Sequence, residues 1–174
     1  LLATDLDGTL FFPRKVKRCI PKKNAKFLRK WIDEGNKVVL ISSRSYDFTK
    51  KLKNEIQRPV DFINYIGAQV RINDELIRDV AIEKEHLISV LDEIKNNYDT
   101  LSFMIATNDF PLVMSDNKNL GAFARGFYSF WYFWQLKYRE KYICSNKVFD
   151  EQIVKGNTYL TRILFGIKKK NHEI

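Results

Sequence analysis

"LLATDLDGTL" (residues 1–10) runs from an apolar start, Leu1-Leu2-Ala3, into Asp5 and Asp7 and at once into Gly8-Thr9. Strand residues i and i+2 share a face, so the two carboxylates can meet one ligand where the strand gives way to the Gly8 turn. In parallel α/β sheets that place, the carboxyl end of a strand, is where ligands bind. Two close carboxylates repel unless a cation lies between them, and oxygen-only ligation favours Mg²⁺. One acid could then attack phosphorus to give an aspartyl phosphate. The other could donate a proton to the leaving alkoxide and later take one from water. A solvated Asp-x-Asp-Gly turn is the competing reading.

Outward from this stretch the chain alternates. Pro21 stands at a first helical position, and Ala25, Leu28, Trp31 and Ile32 keep helical spacing until Gly35. "KVVLIS" (37–42) is an apolar strand of the kind covered on both faces. Ser45 can cap a helix whose Phe48, Leu52 and Ile56 share a face, and "VDFINYIG" (60–67) is a third strand. Strand, helix, strand, helix, strand with short joints predicts a parallel sheet, with residues 1–6 inside it and 37–42 as a neighbour. After Gly67 the rhythm changes. "AQVRINDELIRDV" (68–80) turns at Asn73-Asp74, a helix is expected near 83–97, and "LSFMIAT" (101–107) and "FPLVMS" (110–115) read as paired strands. A helix around 118–139 follows, and "KGNTYLTRILFGI" (155–167) reads as a short amphipathic helix. The α-β-β stretch suits an antiparallel module inserted into the parallel domain.

Other residues could serve the acid pair. Ser42 and Ser43 end the second strand, where their hydroxyls and N–H groups could hold phosphate oxygens, or only cap a helix. Lys155, just before Gly156, could place a fixed positive charge against the aspartates and a phosphoryl group, or lie on the surface.

These residues carry a family resemblance. "DLDGTL" (5–10) resembles the first motif of the haloacid dehalogenase (HAD) superfamily, and "VVLISSR" (38–44) resembles its second, which in the Cof-type (subfamily IIB) sugar-phosphatase branch ends Thr-Gly-Arg. "NYIGAQV" (64–70) is similar to that branch's Asn-Gly-Ala stretch, and "VKGNTYLTRILFGI" (154–167) to the third motif, a lysine followed by glycine and a helix. The resemblance implies an α/β fold: a Rossmann-like parallel-sheet HAD core, residues 1–69 and 151–174, with an inserted α+β (C2-type) cap over 70–150. It implies an Mg²⁺-dependent phosphatase acting on a small phosphorylated metabolite, a sugar phosphate among the candidates, through an aspartyl phosphate. Asp5 would be the nucleophile and Asp7 the acid/base, with Ser42 and Lys155 on the phosphate. Asp5 by its carboxylate and Asp7 by its main-chain carbonyl would ligate the metal. Ser43 departs from a usual glycine and Ile66 from a frequent asparagine. The fourth motif, a Gly-Asp followed by Asn-Asp, is absent, so the chain is expected to be cut short, with the remaining metal ligand beyond Ile174. A phosphotransferase or sugar-phosphate mutase would share the same chemistry. A non-catalytic binding module is the reading if the absence is natural. A phospho-receiver domain would need an acceptor aspartate after the third strand, where "INYIG" (63–67) has none.

Composition sets the outer bounds. With 174 residues, 45% hydrophobic and 14% aromatic, the chain can bury a core. A formal net charge of +9 suits an anionic partner without choosing one. Cys19 and Cys144 have no metal-ligand spacing, and His86 and His172 stand far apart with no chemical role expected. With no signal peptide or membrane-length apolar run, a cytoplasmic location and no membrane partner are expected. "FARGFYSFWYFWQLKY" (123–138) sets Phe123, Phe127, Phe130, Trp131, Trp134 and Tyr138 at helical spacing. That face is expected to cover the cap sheet, and Tyr128, Tyr132 and Phe133 leave open a substrate wall or a homodimer contact. Lys137 and Arg139 make a poor phosphate track, so nucleic acid is not expected.

Overall fold

The computed structural model describes residues 1–13, 19–116, 126, 130 and 142–168. They fall into two compact units, the first running from Leu1 to Val80 and the second beginning at Ala81.

The first unit is built on β1 (Leu2–Asp5), α1 (Lys22–Asp33), β2 (Val38–Ile41), α2 (Tyr46–Ile56) and β3 (Asp61–Asn64), followed by the hairpin β4 (Gln69–Ile72) and β5 (Glu75–Asp79). Strands β1, β2 and β3 are parallel neighbours in that order, β4 and β5 continue the sheet antiparallel, and β1 forms its edge among the described residues. The expected pairing of β1 with β2 holds, and among the described residues no strand pairs with the other side of β1. Asn73 and Asp74 both take positive φ, as a tight hairpin turn requires. The hairpin therefore belongs to the first unit, and the expected boundary at residue 70 moves to Val80–Ala81.

Helices α1 and α2 turn their apolar faces inward. Ala25 and Leu28 of α1 and Phe48, Leu52 and Ile56 of α2 pack with Leu6, Val38, Leu40 and Phe62 in one buried cluster. Ser45 caps α2 by accepting the Phe48 N–H at 3.4 Å. Phe62 is wholly buried at the centre of the sheet. Phe62→Ala is expected to destabilise the protein by about 3–5 kcal/mol, read as a lowered urea midpoint.

In the second unit α3 (Lys84–Asn97) precedes β6 (Tyr98–Thr107) and β7 (Val113–Met114), and β8 (Ile143–Cys144) and α4 (Asn146–Lys155) lead to β9 (Thr158–Lys168). The sheet order is β8-β7-β6-β9, with β6 and β7 antiparallel as expected. Leu87, Leu91, Phe103, Ile105, Val113 and Phe149 form its core. Here two expectations fail. Residues 158–168 are not an amphipathic helix but a strand paired antiparallel with β6, from Thr107↔Thr158 to Tyr98↔Lys168. Residues 151–174 were expected to rejoin the parallel core, and their described part stays in the second unit instead. Local chemistry permits the strand, since Gly156 closes α4 with φ +69 and Thr158, Tyr159, Thr161 and Ile163 are strand-favouring, and pairing with β6 decides it.

The aromatic segment 123–138 and the expected helix 118–139 lie outside the described residues except for Gly126 and Phe130, both helical. Among the described residues no helix is long and apolar enough to cross a membrane.

Candidate active site

Parallel register brings the first two motifs together. Asp5 is the partner of Ile41 across β1 and β2, so Asp5 and Ser42 stand at the carboxyl ends of adjacent strands. Beyond Asp5 the chain winds through Leu6–Leu10, closed by the Phe11 N–H to the Leu6 carbonyl at 3.0 Å. Gly8 makes this winding possible, since its φ of +87 is strained for any residue with a side chain. Leu6 and Leu10 are buried while Asp5, Asp7, Gly8 and Thr9 are exposed, so the core anchors the loop and leaves its acids in reach of solvent. Thr9 donates its hydroxyl to Asp5 Oδ2 at 3.4 Å.

Asp7 is gripped by a residue that sequence reasoning left without a role. Arg44 donates from Nε to Asp7 Oδ2 at 2.9 Å and from Nη2 to Asp7 Oδ1 at 2.8 Å. The guanidinium is only 8% exposed and lies 4.5 Å from the Phe48 ring centroid, so it acts as a rigid fork rather than a mobile surface charge. A carboxylate offers about four lone-pair sites, and a bidentate arginine leaves others open for a proton. The sequence signal was present, as the arginine that ends the Ser-Ser-Arg stretch.

Ser42 is buried and fixed at several atoms. Its N–H donates to the Ile63 carbonyl at 2.9 Å, and its carbonyl accepts from the Ile66 N–H at 3.2 Å. Its Oγ accepts from the Arg44 N–H at 3.1 Å, which leaves the hydroxyl proton to be donated elsewhere. Ser43 follows it, half-buried. Ile66, in place of the branch's frequent asparagine, has φ +57 and is 72% exposed. A left-handed backbone costs a β-branched residue about 1–2 kcal/mol. What Ile66 contributes toward Ser42 is its main-chain N–H. The nearby Cys19 thiol is pushed up to about 11 by burial, with the Glu55 carboxylate adding to the effect. It is therefore no rival nucleophile at neutral pH.

Lys155 is placed differently from expectation. It ends α4 in the second unit and donates from Nζ to Asp109 Oδ2 at 2.7 Å, and Gln152 Nε2 donates to the same oxygen at 3.2 Å. Those two donors, the lysine first, hold the Asp109 carboxyl below the usual carboxylate range. A third motif at Lys155 requires a helix after Gly156, and the chain forms β9 there.

The acids suit magnesium in kind: the Asp5 carboxylate and the Asp7 main-chain carbonyl are hard oxygen donors. Asp7's own carboxylate is committed to Arg44, and among the described residues no three histidine, cysteine or acidic side chains gather to hold a metal. The described residues thus offer two ligands, a number that magnesium accepts when water and phosphate oxygens supply the rest.

Known proteins share this fold. The family model of haloacid dehalogenase-like hydrolases matches residues 2–173. The chain is similar in fold to a Thermotoga maritima crystal structure at TM-score 0.63 and 20% identity, covering 93% of this chain and 55% of that one. It is similar to a HAD-superfamily phosphatase of Bacteroides thetaiotaomicron at TM-score 0.61 and 16% identity, covering 86% and 51%. A HAD subclass IIB sugar phosphatase aligns at TM-score 0.57 and 17% identity, covering 90% and 55%. The chain spans about half the length of these structures. A comparison with curated proteins finds no sequence match. An acid pair at the end of β1, a hydroxyl at the end of β2, the α/β fold and a model covering nearly every residue lead to one assignment: the chain belongs to the haloacid dehalogenase-like hydrolase family.

Proposed function

We propose that the protein, as a whole, is a magnesium-dependent phosphatase that hydrolyses a small phosphorylated metabolite through an aspartyl phosphate on Asp5. The observation that carries this reading is the placement of Asp5 and Ser42 at the ends of adjacent parallel strands, with Arg44 joining that second strand end to Asp7. Asp5, whose recorded side-chain partner is a hydroxyl rather than a cation, is the nucleophile. Its carboxylate oxygen forms a bond to phosphorus while the bond from phosphorus to the leaving oxygen breaks. Asp7 gives that oxygen a proton, and afterwards takes one from the water whose oxygen displaces Asp5 and releases inorganic phosphate. Ser42 and Ser43 hold the phosphoryl oxygens with hydroxyl and main-chain donors. Bound magnesium would offset the negative charge shared by the phosphoryl group and Asp5, through the Asp5 carboxylate and the Asp7 carbonyl. Lys155 is left out of this phosphate site, because its place in α4 lacks the helix that its reading required.

A sugar phosphate is the substrate class to try first, since one of the similar structures is a subclass IIB sugar phosphatase. The test is a panel of sugar phosphates, other phosphorylated metabolites and 4-nitrophenyl phosphate, offered to the whole protein with Mg²⁺ in ¹⁸O-water. Release of inorganic phosphate carrying solvent oxygen is the expected result. Phosphate appearing on a second organic substrate would assign a phosphotransferase instead, and no turnover of any ester would overturn the reading.

A further inference from the structure

Asn64, the last residue of β3, is fully buried. Its Nδ2 donates to the Arg44 carbonyl at 3.0 Å and to Thr49 Oγ1 at 3.0 Å. Thr49 in turn donates its hydroxyl to the Tyr46 carbonyl at 3.0 Å, inside the first turn of α2. One amide therefore ties the end of β3 both to the segment after β2 and to the helix that follows it. The opposite face of the amide has no use of this kind, because Oδ1 is buried without a hydrogen-bond partner. Turning the amide over would set Oδ1 against the Arg44 carbonyl oxygen, so the donors are the part that the site requires.

The consequence falls on Arg44. Its main chain is pinned on both sides, the N–H on Ser42 Oγ at 3.1 Å and the C=O by Asn64. With the backbone fixed, and the guanidinium against the Phe48 ring, both forks meet the two Asp7 oxygens. Loosening the carbonyl would free the main chain on which the fork is mounted and the N–H that orients the Ser42 hydroxyl. Misplacing a catalytic group by a small distance is costly even when the change lies away from the chemistry.

We infer that Asn64 is a positioning residue: through the Arg44 backbone it aims the Asp7 carboxyl, and with it the proton transfer to the leaving group. This rests on the role proposed above for Asp7, and the family's first two motifs do not contain Asn64. Asn64→Leu keeps a similar shape and removes the orphan oxygen with the donors, while it leaves the Arg44 carbonyl and Thr49 Oγ1 without this donor, so the variant is checked for folding by urea unfolding before either readout.

Two readouts test this on the whole protein. The first is kcat/KM on an alkyl phosphate against an aryl phosphate, whose good leaving group needs little proton donation. Asn64→Leu should lower the alkyl value about tenfold and change the aryl value less than about twofold. The second needs no turnover: the NMR signal of the Arg44 Nε–H, which is bound to Asp7, should exchange with solvent about tenfold faster in the variant. Unchanged exchange would overturn the inference. Faster exchange in Asn64→Leu, with an alkyl-to-aryl ratio unchanged both there and in an Arg44→Lys control, would uphold the Asn64 tether and remove the proton-donor role of Asp7. Faster exchange with a ratio that shifts only in Arg44→Lys would overturn Asn64 as a positioning residue for the reaction. Should leucine prevent folding, Asn64→Ala carries the same two measurements.

Discussion

Asp5→Asn is expected to lower turnover by more than about ten-thousandfold while leaving the protein folded. An amide oxygen is a poor nucleophile and cannot form the acyl phosphate through which the proposed reaction runs. The structure makes this a clean substitution. Asp5 is exposed, its recorded side-chain partner is the Thr9 hydroxyl at 3.4 Å, and an asparagine Oδ1 can still accept from it. Its place in β1 depends on main-chain pairing with Ile41, which the change does not touch. Stability should therefore move by no more than about 0.5 kcal/mol. The check is phosphate release by wild type and variant, with urea unfolding alongside. A variant that keeps a tenth of the wild-type rate would remove Asp5 from the nucleophile's role.

Asp7→Asn should divide substrates by their leaving groups. An alkyl phosphate needs a proton on the departing oxygen, and its rate should fall about a hundredfold to ten-thousandfold. An aryl phosphate should lose far less in its first step. Here stability does change. Arg44 is 8% exposed and uses both oxygens of Asp7, so an amide leaves the guanidinium with a neutral partner that presents one oxygen instead of two. A loss on the order of 1–3 kcal/mol follows, read from the urea midpoint. Equal losses on the two esters, once the variant is shown to be folded under assay conditions, would count against proton donation by Asp7.

Much of the first unit was legible as sequence because its signals are local. Apolar runs at 37–42 and 60–67, capping by Ser45 and the Asn73-Asp74 turn each report on a few neighbouring residues, and β2, β3, α2 and the β4–β5 hairpin appear there. The site was half legible. Asp5, Asp7, Ser42 and Ser43 stand out because polar residues end apolar strands. Arg44 and Asn64 do not, since an arginine after two serines and an asparagine at a strand end acquire meaning only from partners 37 and 20 residues away.

The stretch 155–167 shows the opposite failure. Its apolar residues fit a helical spacing, and a lysine before a glycine fits a phosphate-binding motif. Its long pairing with β6 decides otherwise, because an extended ladder with β-branched and aromatic residues outweighs a weak helical preference. Lys155 is then the last residue of a helix, held by Asp109, rather than the lysine that opens one.

By itself, then, the sequence determined the parallel core, the acid pair at the end of β1 and the hydroxyls at the end of β2, since strand period, turn chemistry and burial are written in adjacent residues. Tertiary structure decided that Arg44 grips Asp7, that Asn64 holds Arg44, and that 158–168 completes the second sheet. Those outcomes depend on which segments pair across the fold, and on the burial that makes a hydrogen bond or an ion pair worth forming.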